Sequence, residues 1–437
     1  MAVETEHKTF TSPTSTGEQT YTFRDITNQP IALFFHTTQT IAADIDTAEN
    51  DLIMCIGFGT KNSTAGGSPP GTAAGQYATC SFAEGNVDVT SCNFRVTDEA
   101  VITIIDTSGN LIAQATLKST AAGSPSSFVL NWTTAPGTAF EFHVWAVAGA
   151  DIVDAVVGHF FADTAEGNRD ITNIGLSDGG VPDAVFLLTG ASDASSPPPP
   201  GTVTTVASQF TIGVMLENQG AAGASYFSVD DVDTSDSASL STSTFSVLST
   251  KSGSPAVSYK HEYVSMLTDG FRIKTTNASS AGFRVYYMAI RGGKWNRTGH
   301  LAPTSTGPQD YDTDDDFTPR GFFAWTELTA RSAIGIGTSS NNGGVVEGAS
   351  AMGDRDGLDI SSTGRRMTID SVALVISRFN LQWEAVTSSY KTSSPRGITL
   401  NWTTVQGSGG DAVSLIMVGD GKSAPTPGRR RHGVFSF

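Results

Sequence analysis

Three related segments follow one another along this chain, and a repeat of this length decides how the polypeptide can fold. The opening motif reads PTSTGEQ at residues 13–19 and PTSTGPQ at 303–309. A second motif, LNWTT, stands at residues 130–134 and again at 400–404. The middle segment is degenerate, with Arg272-Ile273-Lys274 where the other two have Leu-Asn-Trp.

This repeat predicts three domains and a tail. We place the domains at residues 1–155, 156–294 and 295–424, followed by a basic and aromatic arm at 425–437. Solenoid repeats are much shorter, at roughly 20 to 50 residues, so a stack of small units is not expected. Each segment is instead long enough to bury a hydrophobic core of its own.

Landmarks within each segment have the pattern of β-strands. A proline precedes an apolar run in each copy, at Pro30, Pro182 and Pro319. Trp132 and Trp402 lie on the LNWTT motif, where alternation of apolar and polar residues predicts that both indoles face the core. No stretch of ten or more residues combines helical periodicity with capping signals.

Composition agrees with a strand-rich fold. Charged residues make up 16% of the chain and there are 46 glycines, which is typical of an all-β protein with many turns. The predicted fold class is therefore all-β, with three tandem, jelly-roll-like β-sandwich repeats.

Charge and hydropathy exclude several functions. The formal net charge is −17, and a surface of that sign repels phosphate backbones, so we expect no nucleic-acid binding. No apolar run approaches the roughly 18 residues of a membrane span. The N-terminus also lacks the basic and apolar regions of a signal peptide, so we expect neither membrane insertion nor Sec-type secretion.

The three cysteines leave two interpretations open. Cys55 lies in an apolar run and is interpreted as a core residue. Cys80 and Cys92 flank a loop-like stretch and could form a disulfide, or could remain thiols as expected after synthesis in a reducing cytosol. An odd number of cysteines without CxxC spacing does not match a zinc site.

The sequence lacks two common motifs of catalysis and nucleotide binding. The chain has no HExxH motif or phosphate-binding loop, and its seven histidines are scattered without metal-ligand spacing, so we expect no enzymatic activity. Asp310, Asp312 and Asp314 could offer oxygens to Ca²⁺, but the turn glycine and terminal glutamate of an EF-hand are missing. A solvated loop is the preferred interpretation, and no other cofactor is expected.

The tandem PTSTGxQ motifs and the segments SFVLNWTT at 127–134 and GITLNWTT at 397–404 resemble the PTxTGxQ and DGFxLNWTT motifs of structural proteins from the virions of tailed phages and related tailed viruses. This resemblance covers nearly the whole chain and implies a structural component of the particle, with no catalytic residues to carry over. We expect the protein in the virion, after synthesis in the host cytoplasm, at the periphery of the tail or baseplate. A capsid-surface decoration or turret protein is the alternative position.

A further alternative is an adhesin that binds host-surface glycans through exposed aromatic side chains. Trp295, Tyr259, Tyr263 and Tyr311 are the candidates for such a platform. In β-sandwiches, however, aromatic residues of this kind are more often packed in the core.

The C-terminal arm is the predicted partner-binding segment. Arg429, Arg430 and Arg431 precede Phe435 and Phe437, and arginine and aromatic residues are enriched at the centres of interfaces. We expect this arm to bind other virion proteins or other copies of the chain. A strap folded back on the third domain is the alternative.

Overall fold

A computed structural model gives the fold of this chain. It describes residues 3–42, 49–61, 75–84, 92–123, 126–190, 203–204, 207–217, 219–229, 237–242, 245–251, 254–279, 282–298, 305–313, 317–327, 333–341, 344–353, 365–378, 382–391, 396–403 and 412–421. These residues contain no α-helix and form antiparallel β-sheets, so the predicted all-β class is confirmed. None of the described segments is a helix that could span a membrane.

The strands fall into three groups along the chain. The first group is β1 (Val3–Thr11), β2 (Gly17–Thr22), β3 (Ala32–Thr37), β4 (Glu49–Asn50), β5 (Leu52–Thr60), β6 (Gln76–Ala83), β7 (Cys92–Thr97), β8 (Ile102–Ile105), β9 (Leu111–Ala121), β10 (Ser127–Thr134) and β11 (Glu141–Gly149). The second is β12 (Ile152–Phe161), β13 (Gly167–Thr172), β14 (Ala184–Thr189), β15 (Val203–Thr204), β16 (Ala207–Leu216), β17 (Gly220–Val229), β18 (Ser237–Thr242), β19 (Phe245–Lys251), β20 (Ser254–Leu267), β21 (Gly270–Asn277) and β22 (Arg284–Gly292). The third is β23 (Lys294–Thr298), β24 (Gly307–Asp312), β25 (Phe317–Glu327), β26 (Ala333–Asn341), β27 (Val345–Gly353), β28 (Arg365–Asp370), β29 (Leu374–Arg378), β30 (Gln382–Lys391), β31 (Gly397–Trp402) and β32 (Ala412–Gly421).

Each group builds one larger and one smaller sheet, and we call the three pairs sandwiches 1, 2 and 3. The larger sheets share one strand order: β1-β11-β3-β5-β6-β7, β12-β22-β14-β16-β17-β18 and β23-β32-β25-β26-β27-β28. The smaller sheets share another: β2-β10-β9-β8, β13-β21-β20-β19 and β24-β31-β30-β29. In each sandwich the first two strands pair with the last two, one pair in each sheet, and a meander completes each sheet.

The two LNWTT motifs and the degenerate middle copy occupy equivalent register positions in the three sandwiches. Phe128, Phe271 and Ile398 stand opposite Tyr21, Ile171 and Tyr311. Trp132 and Trp402 are buried, as are the residues two and four positions before each of them. In sandwich 2 the register places Thr275, not Lys274, at the tryptophan position. The sequence comparison of Arg272-Ile273-Lys274 with Leu-Asn-Trp is therefore wrong by one residue. In a strand, a shift of one residue moves each side chain to the opposite face.

The prolines that precede the apolar runs do not all occupy the same element. Pro30 and Pro182 stand before β3 and β14. Pro319 lies within β25, at a register shift between Pro319 and Gly321. Because proline has no N–H to donate to the ladder, its place inside a strand coincides with a bulge.

Two equivalent glycines let the sheets of a sandwich approach closely. A Cβ on Gly57 would collide with the carbonyl oxygen of Val101, and one on Gly337 would collide with that of Ala373. Val101 and Ala373 directly precede β8 and β29, which belong to the smaller sheets of sandwiches 1 and 3. Glycine is required at these positions because any side chain would force the two layers apart.

A core shared by all three sandwiches lies where the larger sheets face one another. On β3, Phe34 points into this core while Leu33 and Phe35 point into sandwich 1. The Phe34 ring centroid lies 4.7 Å from that of Phe186 and 5.4 Å from that of Phe323, and the last two are 6.1 Å apart. The larger sheets are thus buried on both faces, which explains the continuous apolar runs.

Two short strands cross from one sandwich to another. β4, from the first segment, pairs with β28 of sandwich 3, where Glu49 stands opposite Arg366 and their side chains lie 2.9 Å apart. β15, from the second segment, pairs with β7 of sandwich 1. The three predicted domains therefore share a core and exchange strands, which the prediction of separate cores did not include.

The cysteines form no disulfide, and all three are buried. Cys80 stands directly opposite Cys55 on neighbouring strands, whereas Cys92 is paired in register with Ala83. The alternative of a Cys80–Cys92 disulfide is therefore wrong. Burial raises the pKa of the Cys80 thiol to about 12, so it stays protonated at neutral pH.

Candidate functional site at the junction of two sandwiches

Three histidines meet where sandwich 1 packs against sandwich 3. His36 on β3 and His143 on β11 are opposite residues in the ladder, and their ring centroids are 4.7 Å apart. His7 on β1 lies diagonally across, with its centroid 5.1 Å from that of His143. Neighbouring strands therefore place three imidazoles on one face of the sheet, the face that meets β26 and β27.

Hydroxyl and carbonyl groups of sandwich 3 bind these rings. His36 contacts Ser350 Oγ at 3.0 Å through Nδ1 and Thr338 Oγ1 at 3.2 Å through Nε2. His143 Nε2 lies 3.2 Å from the carbonyl oxygen of Ala349, which can only accept, so Nε2 carries the proton. Nδ1 of the neutral ring then accepts from Thr9 Oγ1 at 2.9 Å.

His7 is held more loosely than the other two. Its Nδ1 lies 2.7 Å from Thr338 Oγ1, but its Nε2 is buried without a hydrogen-bond partner among the described residues. Gly348 covers the cluster, and a Cβ there would lie 2.5 Å from His7 Nε2 and 2.7 Å from His143 Nδ1. The contact between the sandwiches thus depends on glycine at position 348.

Burial keeps the cluster neutral. It lowers the pKa of His143 to about 4 and the pKa values of His7 and His36 well below the ordinary value, since a charged ring would lose its hydration. The neighbouring imidazoles lower the pKa values of His7 and His36 further, because a second positive charge would be repelled. The cluster joins the sandwiches as neutral rings and can take up protons only at a cost to the fold.

Sequence reasoning missed this site because its members are far apart in the chain and their partners in sandwich 3 lie 206 to 331 residues away. No group of three or more His, Cys, Asp or Glu side chains in the described segments has the arrangement of a metal site. The pairing of β11 with both β1 and β3 brings His7, His36 and His143 to adjacent strands, and this pairing is visible only in the fold.

The two other junctions use different chemistry at the same place in the fold. Between sandwiches 2 and 1, Tyr77 Oη lies 3.0 Å from His159 Nδ1, and the rings of Tyr77 and Tyr286 are 3.7 Å apart. Between sandwiches 3 and 2, the backbone N–H of Arg297 donates to the side chain of Gln219 at 2.5 Å. Each sandwich therefore contacts the other two through a distinct polar cluster.

The calcium candidates have a lysine partner. Asp310 and Asp312 lie on the same face of β24, and Lys391 Nζ is 2.8 Å from the first carboxylate and 2.6 Å from the second. An ammonium group thus stands where a cation would bind, so this pair does not suit Ca²⁺; Asp314 lies outside the described residues. The arm residues Arg429, Arg430, Arg431, Phe435 and Phe437 also lie outside them.

The aromatic residues considered for glycan binding belong to the interior. Trp295, Tyr259 and Tyr311 are buried, and Tyr263 is half-buried. Trp295 Nε1 donates to the carbonyl oxygen of Gly292 at 3.0 Å. Trp295, Tyr259 and Tyr311 are therefore packed in the core, which is the alternative stated from the sequence. They do not form a surface for a sugar.

A second buried polar cluster lies inside sandwich 3. Ser388 donates to Glu347 through both its hydroxyl, at 2.5 Å, and its backbone N–H, at 3.1 Å. Burial raises the pKa of Glu347 to about 7, although the Ser388 bonds oppose this rise. Ser339 and Tyr390 continue the chain of hydrogen bonds. The carboxyl joins the two sheets of the sandwich.

Sequence comparison adds no relative to this description. The chain matches no protein-family model, and no curated protein matches it. Its function is therefore inferred from the fold, the junctions and the repeat motifs.

Proposed function

We propose that this protein is a non-enzymatic structural component of the particle of a tailed virus, at the periphery of the tail or baseplate. The observation that carries the proposal is the core shared by three sandwiches, in which Phe34, Phe186 and Phe323 meet. Because the three sandwiches share this core, the chain forms one rigid unit with three similar parts. A static assembly requires rigid subunits of this kind. The repeat motifs also resemble those of virion proteins.

The polar clusters support a structural role. His36 and His143 are fully buried at a junction, and their hydrogen bonds go to the neighbouring sandwich. Glu347 and Ser388 connect the two sheets of one sandwich. A reacting group must meet its substrate, whereas these groups meet only other parts of the chain.

The partner-binding part of this proposal is the arm at residues 425–437. Its arginines would bind an acidic surface of a neighbouring subunit, and its phenylalanines would fill apolar pockets there. Deletion of residues 428–437 is expected to leave the fold and the melting temperature unchanged while abolishing incorporation into particles. Incorporation of the truncated chain at full occupancy would contradict the arm's role.

Quantitative mass spectrometry of purified virus particles tests the function itself. We expect the protein to co-purify with particles and to remain with tails after heads and tails are separated. Recovery with heads, in a copy number comparable to that of the capsid protein, would instead support the capsid-decoration position. Absence from particles, with the protein recovered only from the cell lysate, would overturn the structural role.

A further inference from the structure

Two cysteines stand opposite each other inside sandwich 1. Cys55 on β5 and Cys80 on β6 are directly paired in the antiparallel ladder, and both side chains are buried in the core of this sandwich. Opposite residues of antiparallel strands have Cα atoms about 4.5 to 5.5 Å apart. A disulfide joins Cα atoms about 4.4 to 6.8 Å apart, so the backbone at this pair is already suited to a bond.

The two sulfur atoms meet the same neighbouring strand. The backbone N–H of Thr103 donates to Cys55 Sγ at 3.4 Å, and the backbone N–H of Ile105 donates to the sulfur of Cys80. Both donors belong to β8, and residues two positions apart in a strand point their N–H groups to the same side. Burial raises the pKa of the Cys55 thiol, and the nearby Cys80 raises it further. The two thiols therefore share one site.

Sandwich 2 shows how closely side chains approach at the equivalent pair. There the opposite residues are Thr211 on β16 and Ser225 on β17, and Thr211 Oγ1 donates to Ser225 Oγ at 3.0 Å. Thr211 corresponds to Cys55 because these two residues stand opposite Thr189 and Thr37, each of which lies three residues after a phenylalanine of the shared core. Side chains at this place in the fold therefore contact each other directly.

The fold keeps Cys92 apart from the pair. Its side chain faces the core shared by the three sandwiches, on the other side of the larger sheet from Cys55 and Cys80. In sequence, however, Cys92 is 12 positions from Cys80, whereas Cys55 is 25 positions from it. Loop closure in an unfolded chain favours the shorter loop about threefold. The folded and the unfolded chain therefore select different partners for Cys80.

We propose that Cys55 and Cys80 are a redox-active pair that a peroxide oxidises to a disulfide between β5 and β6. The thiolate of one cysteine attacks a peroxide oxygen, the O–O bond breaks, and the leaving hydroxide takes the proton that the thiol released and becomes water. The second thiol attacks the sulfur of the resulting sulfenic acid, the S–O bond breaks, and a second water leaves. Two thiols thus lose two electrons, and one hydrogen peroxide is reduced to two water molecules.

Burial controls the rate of this reaction. The raised pKa values keep both thiols protonated, so local opening of sandwich 1 must precede attack on the peroxide. β5 and β6 also pack against β12 of sandwich 2, and β6 carries Tyr77, whose hydroxyl is hydrogen-bonded to His159. The disulfide would therefore fix the two strands that contact sandwich 2. This chemistry is independent of the proposed function and needs no virus particle.

Mass spectrometry of the oxidised chain identifies the partner of Cys80. The full chain is treated with hydrogen peroxide at neutral pH, and the remaining thiols are alkylated in denaturant. Digestion with trypsin and a glutamate-specific protease cuts at Lys61 and Glu84 and separates the three cysteines. We expect the folded chain to give the Cys55–Cys80 link without a Cys80–Cys92 link. Oxidation in urea should instead favour the Cys80–Cys92 link about threefold.

Three results of this experiment would overturn the proposal. The first is the same mixture of links from the folded chain and from the chain in urea. The second is oxidation of Cys55 or Cys80 to sulfinic acid without a link between them. The third is the persistence of both thiols in the folded chain after an exposure that fully oxidises the chain in urea.

Thermal melting tests the bond with matched variants. Cys55→Thr combined with Cys80→Ser places the pair of sandwich 2 in sandwich 1, so this variant should melt like the reduced native chain and should not respond to peroxide. Cys92→Ala keeps the pair, and its melting temperature should rise by a few degrees on oxidation and fall again with dithiothreitol. A rise that persists in the double variant, or that is absent from Cys92→Ala, would overturn the proposal.

Discussion

Acidification should loosen the junction between sandwiches 1 and 3. The native fold holds the pKa of His143 at about 4, against an ordinary value of 6.5. Each pKa unit corresponds to about 1.4 kcal/mol, so neutral His143 contributes about 3 kcal/mol to stability. Because the pKa is lowered in the native state, this contribution is complete above pH 6.5 and is lost as the pH falls from 6.5 through about 4.

His143→Gln isolates this contribution. The glutamine amide can still donate to the Ala349 carbonyl but cannot take up a proton, so the variant should lose about 3 kcal/mol less than the native chain between pH 7.5 and pH 4. Urea unfolding, followed by tryptophan fluorescence at several pH values, measures the difference. An unchanged pH dependence in the variant would refute the burial and neutrality of His143.

His261→Gln is the control that separates the junction from buried histidines in general. His261 is also fully buried and its pKa is lowered to about 3, but it lies on β20 in sandwich 2. Both variants should weaken the pH dependence of global stability. Only His143→Gln should preserve slow hydrogen exchange in β1 and β27 at pH 5, since only this substitution removes a proton-binding group from the junction.

Three further substitutions test the core and the sandwich interiors. Phe34→Ala should cost about 3–5 kcal/mol in urea unfolding, because the truncated ring leaves a cavity among three sandwiches; a loss below 1 kcal/mol would contradict the shared core. Gly57→Ala should lower the melting temperature measured by calorimetry, because its Cβ meets the Val101 carbonyl; a native melting temperature would contradict that close approach. The pKa of Glu347 is raised to about 7, so its contribution is complete below its ordinary value of 4.5 and is lost as the pH rises through 7. Glu347→Gln should therefore be less sensitive to pH than the native chain between 4.5 and 8, and an equal sensitivity in urea unfolding would argue against the raised pKa.

Local patterns in the sequence predicted the strands and much of their register. Alternation along LNWTT placed Trp132 on the buried face because successive side chains of a strand point to opposite sides. The degenerate middle copy was harder, and Lys274 was compared with tryptophan where the ladder places Thr275. The alternation of Phe271 and Ile273 with polar residues places Thr275, not Lys274, on the buried face, so the period of two supports the register of the ladder.

The candidate site could not be predicted in the same way. His36 and Thr338 touch across a junction, yet no local property of either residue indicates the other. The apolar runs of the larger sheets predict burial on two faces without indicating what covers the second face. The shared core around Phe34 follows from how the three sandwiches pack together, which the repeat itself does not specify.

By itself, therefore, the sequence determined an all-β chain of repeated strands, because strand formation depends on neighbouring residues and their alternation. Only the tertiary structure decided that three sandwiches enclose one aromatic core, lend strands to each other and seal three imidazoles between them. Those features depend on contacts between residues hundreds of positions apart, where the free energy comes from surfaces that meet only after the sheets have formed.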